Sequence, residues 1–477
     1  ETGNERYLRL MHDIEEDWRK PPSGDYLYQA KPGVEFWQSP KPRWESLHPM
    51  LGLAELFRIT GEPRYRDAMT HWWKSIRKYD VHNSGSFSTN EQATGNPFMT
   101  GAIETCCTVA WIAYSIDTWR LTADPAIADA LELAAWNAVP GYTHPSGRWC
   151  TYDTPMNGKR LASAHSIVFQ SRPGTPELNC CSVNGPRGFA MLGDWAVAGN
   201  EKGIYVNYYG PGEMNLTMES GDTWKIRQAG DFPKGDSLRL TLYPGNTAKV
   251  PLRLRIPGWS KNTMVSVNNT PVAGVAAGSY LTLERDWKAG DWIDITFDMT
   301  VRALRSDTHM DFKTALYRGP LLLTYDQKYN DIEAADLPAL DLHTIQLTPA
   351  EKPALFPPIA LFQTLAADGT PVYLCDFASA GAHGTYYQSW LPVDNAPPAP
   401  FYLDSTFSGK ALHPEDLSFA WSAVGPEKHT YHLKITSDPE GNKILWESDT
   451  EALDLAPKGL SLKQGTCYWT VTTESGQ

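Results

Sequence analysis

The chain has 477 residues and a formal net charge of −13, with 55 acidic side chains against 42 lysines and arginines. A chain of this length exceeds what one hydrophobic core usually supports, so we expect two to four domains. The acidic balance argues against nucleic acid as a partner, and no apolar stretch approaches the roughly 20 residues that cross a membrane.

The first 202 residues carry apolar side chains at helical spacing and contain an internal repeat. The segment Arg58–Pro63 is echoed by Arg120–Pro125. Each copy predicts a helix that ends near the arginine, a short turn, and a second helix with proline at its first position, where the missing N–H is harmless. Two such hairpins favour a helical toroid or solenoid, although two copies are too few to close a ring.

From about Gly203 the spacing of the apolar residues changes to two. Leu252–Ile256 and Trp292–Phe297 alternate as strands of an antiparallel β-sandwich do. We therefore predict a β-sandwich over 203–300 and a second sandwich, or a continuation of the first, over 301–392. The proline-rich stretch 391–400 predicts a linker into a module over 401–477, which resembles a truncated fibronectin type III domain.

Glutamate and cysteine residues occur in two short clusters, Glu104-Thr105-Cys106-Cys107 and Cys180-Cys181. A hard carboxylate oxygen beside soft thiolates is a ligand mixture that suits Zn²⁺. Adjacent residues of a helix face apart, so we assign Cys106 as a ligand and Cys107 to the core. A disulfide or a set of buried thiols remains the alternative, although an odd count of seven cysteines argues against a disulfide framework.

These clusters carry a resemblance to a known family. The two clusters resemble glycoside hydrolase family 127, which includes the β-L-arabinofuranosidases. The resemblance extends to the 85–91 loop, the Asn179-Cys180-Cys181 run and Gly185-Pro186-Arg187-Gly188. The resemblance covers roughly residues 1–390 and implies an (α/α)6 barrel followed by antiparallel β-sandwich domains. Family members have a much longer helical run before the position of Glu91, so we expect residues 1–202 to be a partial (α/α)6 catalytic barrel, and this fragment to be inactive or poorly soluble.

The resemblance also implies a retaining hydrolysis with a cysteine nucleophile. By motif order Cys180 would be the nucleophile and Glu91 the general acid/base. The Zn²⁺ ligands would be Glu104, Cys106, Cys180 and Cys181. A metal-bound thiol is deprotonated at neutral pH, so a soft nucleophile would be ready to attack the anomeric carbon, while a protonated carboxyl donates to the leaving oxygen.

The expected substrate is an oligo- or polysaccharide of the plant cell wall that carries β-L-arabinofuranose or a related pectic sugar. The run Asn179–Asn184 departs from the Cys-Cys-Pro-Pro form common among the arabinofuranosidases and is closer to relatives that act on other pectic sugars, including acid-bearing ones. Such an enzyme would be exported to the periplasm or the cell exterior, where zinc would protect the thiols from oxidation. The first residue, Glu1, is not a methionine, so secretion stays open.

Other side chains have weaker claims to a role. Glu177 is a rival acid, His48 and His165 could contact sugar hydroxyls, and three rings are candidates for stacking on a sugar face: Trp44, Trp149 and Tyr152. A noncatalytic carbohydrate-binding scaffold with a structural zinc ion is the alternative function. A hydrolase with a Cys/His pair is a third reading, for which His165 is the nearest histidine to Cys180.

Overall fold

The computed structural model describes residues 3–101, 103–161, 180–200, 202–245, 249–400, 402–403, 417–460 and 466–473. The helices are α1 (Glu5–Trp18), α2 (Leu47–Thr60), α3 (Pro63–Tyr79), α4 (Thr105–Thr122), α5 (Pro125–Leu133), α6 (Val139–Gly141) and α7 (Cys180–Ala190). A π-helical turn, Ala134–Ala138, joins α5 to α6. None of these helices combines the length and apolar character needed to cross a membrane.

The two predicted helical hairpins are present, as α2–α3 and α4–α5. Pro63 and Pro125 stand at the first positions of α3 and α5. The preceding helices end at matching places of the repeat, Gly61 (φ 72°) and Ala123 (φ 50°), both in the left-handed conformation that terminates a helix. The repeat in the sequence therefore encodes the turn as well as the helices.

Helix α4 lies at the centre of the helical region. Its side chains from Thr105 to Ile112 are buried on every face, which is typical of a helix enclosed by other elements rather than one at a surface. Polar groups on it are paired within the core, since Trp73 Nε1 donates to Ser115 Oγ at 3.0 Å and Tyr114 Oη donates to the carbonyl of Met69 at 3.0 Å. The start of α4 is thus held rigidly.

Two sheets enclose a common core after the helices. The strands are β2 (Val197–Asn200), β3 (Gly203–Val206), β4 (Gly212–Thr217), β5 (Thr223–Gly230), β6 (Ser237–Pro244), β7 (Leu252–Ile256), β8 (Met264–Val267), β9 (Thr270–Pro271), β10 (Ser279–Leu283) and β11 (Trp292–Thr296). Their orders are β10-β7-β3-β2 and β4-β5-β6-β11-β8-β9. The strands of this sandwich therefore begin at Val197, inside the range predicted to be helical.

Strand β7 is buried on both of its faces. Leu252 and Leu254 face the sandwich core, and Arg255, on the opposite face, is fully buried as well. Helix α5 covers the second face of β7 and presents Asp129 and Glu132 to the guanidinium. A strand that is buried on both faces can therefore alternate apolar and charged residues, provided that each buried charge has a partner of opposite charge.

An eight-stranded sheet follows the first sandwich. Its region contains β12 (Arg302–Arg305), β13 (Thr314–Arg318), β14 (Leu321–Asp326), β15 (Leu340–Asp341), β16 (Thr348–Pro349), β17 (Leu361–Leu365), β18 (Pro371–Asp376), β19 (Tyr387–Gln388) and β20 (Val393–Asp394). The sheet also takes in β1 (Asn157–Gly158), which pairs with β19. A segment from the helical region is therefore part of a sheet whose other strands lie beyond residue 301.

The stretch predicted to be a linker is partly structured. Leu391 is buried and exchanges backbone hydrogen bonds with Thr314, and β20 pairs in parallel with β15. The last strands are β21 (Phe419–Ala420), β22 (Tyr431–Thr436), β23 (Ile444–Thr450), β24 (Asp454–Leu455) and β25 (Tyr468–Thr473), which form two small sheets around a separate apolar core.

Candidate active site

The two sequence clusters meet where α4 and α7 begin. Glu104 precedes the first turn of α4, and Cys106 lies in that turn. Cys180 and Cys181 are the first residues of α7. The segment around Tyr152 closes the site from one side, because the Thr105 amide donates to the Tyr152 carbonyl at 3.0 Å. Residues far apart in the chain thus converge on one point.

Four side chains of these clusters lie together. The Sγ atoms of Cys106 and Cys181 are 3.4 Å apart, and those of Cys180 and Cys181 are 3.9 Å apart. Glu104 Oε1 lies 3.8 Å from Cys180 Sγ and 3.7 Å from Cys181 Sγ. All four ligand atoms lie within 4.8 Å of one another, so this set can hold one metal ion.

Cys107 lies outside this set. It belongs to the helical core, and its thiol donates to the second oxygen of Glu104, Oε2, at 3.3 Å. That contact leaves Oε1 directed toward Cys180 and Cys181. All seven cysteines are free thiols, so the disulfide alternative is not realised here.

The pKa values of the three thiols shift in different directions. Hydrogen bonds from the thiols of Cys106 and then Cys181 lower the pKa of Cys180. The same bond to Cys180 raises the pKa of Cys106, and burial raises the pKa of Cys181. Burial, followed by the nearby charge of Glu91, raises the pKa of Glu104 to about 7. A bound cation would favour the ionised form of all four groups.

Exposure also separates Cys180 from its neighbours. Cys106, Cys181 and Glu104 are buried, whereas Cys180 is exposed. The thiol that most readily carries negative charge is therefore the one that a molecule from solvent can reach.

Glu91 lies beside this cluster and is held by two side chains. Its Oε2 is 2.9 Å from Nη2 of Arg43, and its Oε1 accepts from the hydroxyl of Tyr152 at 3.3 Å. Asn90 and Glu91 both have positive φ, 48° and 67°. Such conformations are costly for residues other than glycine and are concentrated at functional sites.

The aromatic candidates have different places. Trp44 packs against the group formed by Cys106, Tyr152 and Cys181, and the exposed His48 packs edge-on against Trp44 at 5.6 Å. Tyr152 is only 2% exposed, so its hydroxyl rather than its ring face is directed to the site. Trp149 stacks on His144 at 4.6 Å.

Some sequence candidates cannot be placed, and some site residues were missed. His165, Glu177 and Asn179 lie outside the described residues. Asn184 was not assigned a role, yet its Nδ2 donates to Cys106 Sγ at 3.3 Å. Its position one helical turn after Cys180 was an available signal. Arg43 was missed as well, and nothing in its local sequence marks it as a partner of Glu91.

Two family models match parts of this chain. The family model described as the GH127 catalytic domain of β-L-arabinofuranosidase matches residues 1–194, and the model of the GH127 middle domain matches residues 203–299. No curated protein matches the chain.

Three solved structures share the fold at 20% sequence identity. A glycoside hydrolase has a TM-score of 0.68, with 83% of this chain and 73% of that chain covered. A GH127 β-L-arabinofuranosidase from Geobacillus stearothermophilus T6 has a TM-score of 0.66, with coverage of 82% and 70%. A GH127 β-arabinofuranosidase has a TM-score of 0.67, with coverage of 82% and 66%. The chain therefore belongs to the GH127 group and is a glycoside hydrolase of the β-L-arabinofuranosidase-like type.

Proposed function

We propose that the chain is a retaining exo-glycoside hydrolase that releases β-L-arabinofuranose or a related pectic sugar from plant cell-wall glycans. Cys180 is the proposed nucleophile and Glu91 the proposed acid/base. The observation that carries this assignment is the position of Cys180, which is the exposed thiol of a four-ligand cluster and the one whose pKa is lowered. A thiolate open to solvent is a nucleophile, whereas a buried thiol is inert.

We propose that Glu104, Cys106, Cys180 and Cys181 hold Zn²⁺. With Zn–S bonds of about 2.3 Å and Zn–O bonds of about 2.1 Å, tetrahedral angles place sulfurs about 3.8 Å apart and sulfur about 3.6 Å from oxygen. The Sγ–Sγ distances of 3.4 and 3.9 Å and the Sγ–Oε1 distances of 3.7 and 3.8 Å lie close to these values. The ion would supply positive charge that keeps the thiols deprotonated.

In the proposed reaction the Cys180 thiolate attacks the anomeric carbon. The Sγ–carbon bond forms as the bond to the leaving oxygen breaks, and protonated Glu91 gives its proton to that oxygen. In the second step Glu91 takes a proton from water, the water oxygen bonds to the same carbon, and Sγ leaves as thiolate. Two displacements at one carbon return the original configuration, which makes the reaction retaining.

Arg43 and Tyr152 have a positioning role in this proposal. They bind different oxygens of Glu91, at 2.9 Å and 3.3 Å, and so fix the plane of the carboxylate. Arg43 also forms two hydrogen bonds with Glu45, of 2.9 and 3.0 Å, which hold its guanidinium in place. A carboxylate that must serve both steps benefits from such fixed geometry, because misplacement lowers the rate.

One observation favours a second function, a noncatalytic carbohydrate-binding scaffold. Four protein ligands around one metal ion are the usual pattern of a structural zinc site, whereas catalytic sites keep one position open. In that case Cys180 would contribute to stability alone, and Glu91 would be a loop carboxylate without a role in turnover.

The test measures zinc content and hydrolysis of p-nitrophenyl β-L-arabinofuranoside in the wild type and three variants. We expect about one zinc per chain, a loss of turnover of at least about 10³-fold in Cys180→Ser, and a loss of about 10² to 10⁴-fold in Glu91→Gln, which leaves the ligands intact. The control Cys467→Ser changes a partly buried thiol of the C-terminal β region and should keep full activity.

The outcomes separate the two functions. Absence of zinc would overturn the mechanism. Three results together would establish the scaffold. The protein would hold zinc, Cys180→Ser would only unfold more easily, and Glu91→Gln would bind pectic oligosaccharides as the wild type does.

Two broader assignments are proposals as well. We propose that the hairpins α2–α3 and α4–α5 belong to an (α/α)6 barrel and that the protein acts in the periplasm or outside the cell. The hairpin repeat and the family support the first, and the polymeric substrate class supports the second. An experimental structure with the hairpins stacked as an open solenoid, or recovery of the protein in the cytoplasmic fraction of its host, would contradict them.

A further inference from the structure

A cavity lies where the helical region meets both β regions. Its volume is about 450 Å³, within the range of roughly 300 to 1,000 Å³ typical of small-molecule sites. Helix α3 contributes Arg77, the loop after β7 contributes Trp259 and Lys261, and the strands β12 and β13 contribute Arg302 and Tyr317. None of these residues takes part in the proposed reaction.

The acidic groups of this cavity are already satisfied. Asp129 and Glu132 both bind the guanidinium of Arg255. Asp129 also accepts from the Gly258 amide at 2.8 Å, and Glu132 accepts from Trp259 Nε1 at 2.8 Å. These carboxylates therefore have little capacity left to balance further positive charge in the cavity.

The cationic groups of the cavity are not balanced in this way. Among the described residues, no carboxylate lies within ion-pair distance of Arg77, Lys261 or Arg302. Arg77 and Lys261 are exposed, whereas Arg302 lies deeper. In a chain of net charge −13, three unpaired cations around one cavity form a local excess of positive charge.

Arg302 is the most buried of the three. Its guanidinium lies between two rings, 5.7 Å from Trp259 and 5.2 Å from Tyr317, and Nη2 donates to the Gly319 carbonyl at 2.6 Å. Its Nε is buried without a partner among the described residues. Burial lowers the pKa of Arg302, and the nearby Tyr317, Glu132 and Asp129 oppose that shift without cancelling it.

We propose that this cavity binds a carboxylate-bearing monosaccharide of the hexuronate class. The carboxylate would be attracted to Arg302, with Arg77 and Lys261 at the mouth. The apolar side chains of Leu133, Ala303 and Leu304, with the ring edges of Trp259 and Tyr317, provide the contact surface for the sugar C–H groups. A bare oxyanion would use the cations and leave this apolar surface without contacts. The site is separate from the cysteine cluster and does not depend on the proposed catalysis.

The experiment is isothermal titration calorimetry of the intact chain with galacturonate, with galactose as the neutral counterpart, and with inorganic phosphate. We expect galacturonate to bind at this site and galactose to bind at least about tenfold more weakly, because galactose has no carboxylate to interact with the cations. Phosphate should bind more weakly than galacturonate. Cys180→Ser should bind galacturonate as the wild type does.

Three variants locate the binding. Arg77→Ala and Lys261→Ala change exposed side chains and should each weaken galacturonate binding by about three- to tenfold. Lys288→Ala removes the same charge from an exposed turn of the same sandwich and should have no effect. Equal affinity for galacturonate and galactose, stronger binding of phosphate than of galacturonate, or unchanged affinity in both cavity variants would overturn the proposal.

Discussion

The molecule buries ionisable side chains in two clusters that differ in how their charge is balanced. In the junction cluster, formed by Asp129, Glu132 and Arg255, every group has a partner of the opposite kind, and Arg255 Nε also donates to the Asn207 carbonyl at 2.7 Å. In the cysteine cluster, Glu104 and three thiols face one another, and each becomes negative when it ionises. In the first cluster each charged group has a protein partner, whereas the second has no cation of its own and can accept one.

Charge balance distinguishes a cluster that stabilises the fold from one that can take up a ligand. The junction cluster holds the helical region against β7, and its charged groups already have protein partners. Ionised groups of like charge destabilise the folded state when no cation is bound between them. Natural proteins retain such destabilising arrangements mainly where they serve function. Substitutions that unbalance the first cluster, or alter the second, test this distinction.

The largest expected effect follows from removal of Arg255. Arg255→Met leaves Asp129 and Glu132 without their cation, and Glu132 is only 1% exposed. Loss of one member of a buried ion pair typically costs about 3 to 5 kcal/mol. Urea unfolding at neutral pH should show this decrease in the free energy of unfolding.

A double variant serves as the control for Arg255→Met. In Arg255→Met with Glu132→Gln, the buried charge is removed from both sides, while the glutamine oxygen can still accept from Trp259 Nε1. We expect at least half of the lost stability to return. A double variant as unstable as the sum of the two single ones would mean that packing, rather than charge balance, sets the cost.

A third buried carboxylate, Asp80, differs from both clusters because its hydrogen-bond partners are backbone amides. Asp80 accepts from the amides of Thr94 and Gly95 at 2.6 and 2.8 Å, and burial raises the pKa of Asp80 to about 7. The unfolded value is near 3.9, so the folded protein binds this proton more tightly. Its stabilising effect is complete below about pH 4 and is lost as the pH rises to about 7.

For Asp80 we therefore expect a contribution to the free energy of unfolding that falls by up to about 4 kcal/mol between pH 4 and pH 7. The measurement compares urea unfolding of the wild type and Asp80→Asn at several pH values in this window. The variant cannot ionise and should gain stability relative to the wild type as the pH rises. A difference that stays constant with pH would show that Asp80 does not change its protonation on unfolding.

The smallest expected effect concerns the cysteine cluster. Asn184→Ala removes the amide that donates to Cys106 Sγ at 3.3 Å, without removing a ligand. Groups that hydrogen-bond to metal ligands typically contribute 10- to 100-fold in affinity, and for one neutral donor we expect about tenfold weaker zinc binding in competition with a chelator. An exposed neighbour, Val183→Ala, is the control, and equal affinities in the two variants would remove Asn184 from the site.

Local patterns predicted those parts of the molecule that local chemistry determines. The hairpins follow from Pro63 and Pro125, whose fixed backbone and missing N–H suit the first position of a helix. The residue types of the two clusters indicated a metal site, because a carboxylate beside several thiolates is a ligand set that suits a metal ion. The resemblance to family 127 rested on the same residues and is confirmed by the family models.

Contacts between distant segments could not be predicted in this way. The burial of Arg255 depends on α5, whose residues Asp129 and Glu132 lie more than 100 positions earlier. The ion pair between Arg43 and Glu91 joins two loops, and neither loop has a periodic pattern. Strand β1 has two residues, which is too short for alternation to be visible.

Strand β1 has a consequence for the way the protein is made. Asn157 Oδ1 accepts from the backbone amide of Ser389, 232 positions later, and Asn83 Nδ2 donates to the Ser389 hydroxyl at 2.9 Å. At roughly 5 to 20 residues per second, a ribosome adds the segment between these partners in about 10 to 50 s. During that interval the loops next to Glu91 and Tyr152 lack their anchors, so the candidate site reaches its final form only after most of the chain has been synthesised.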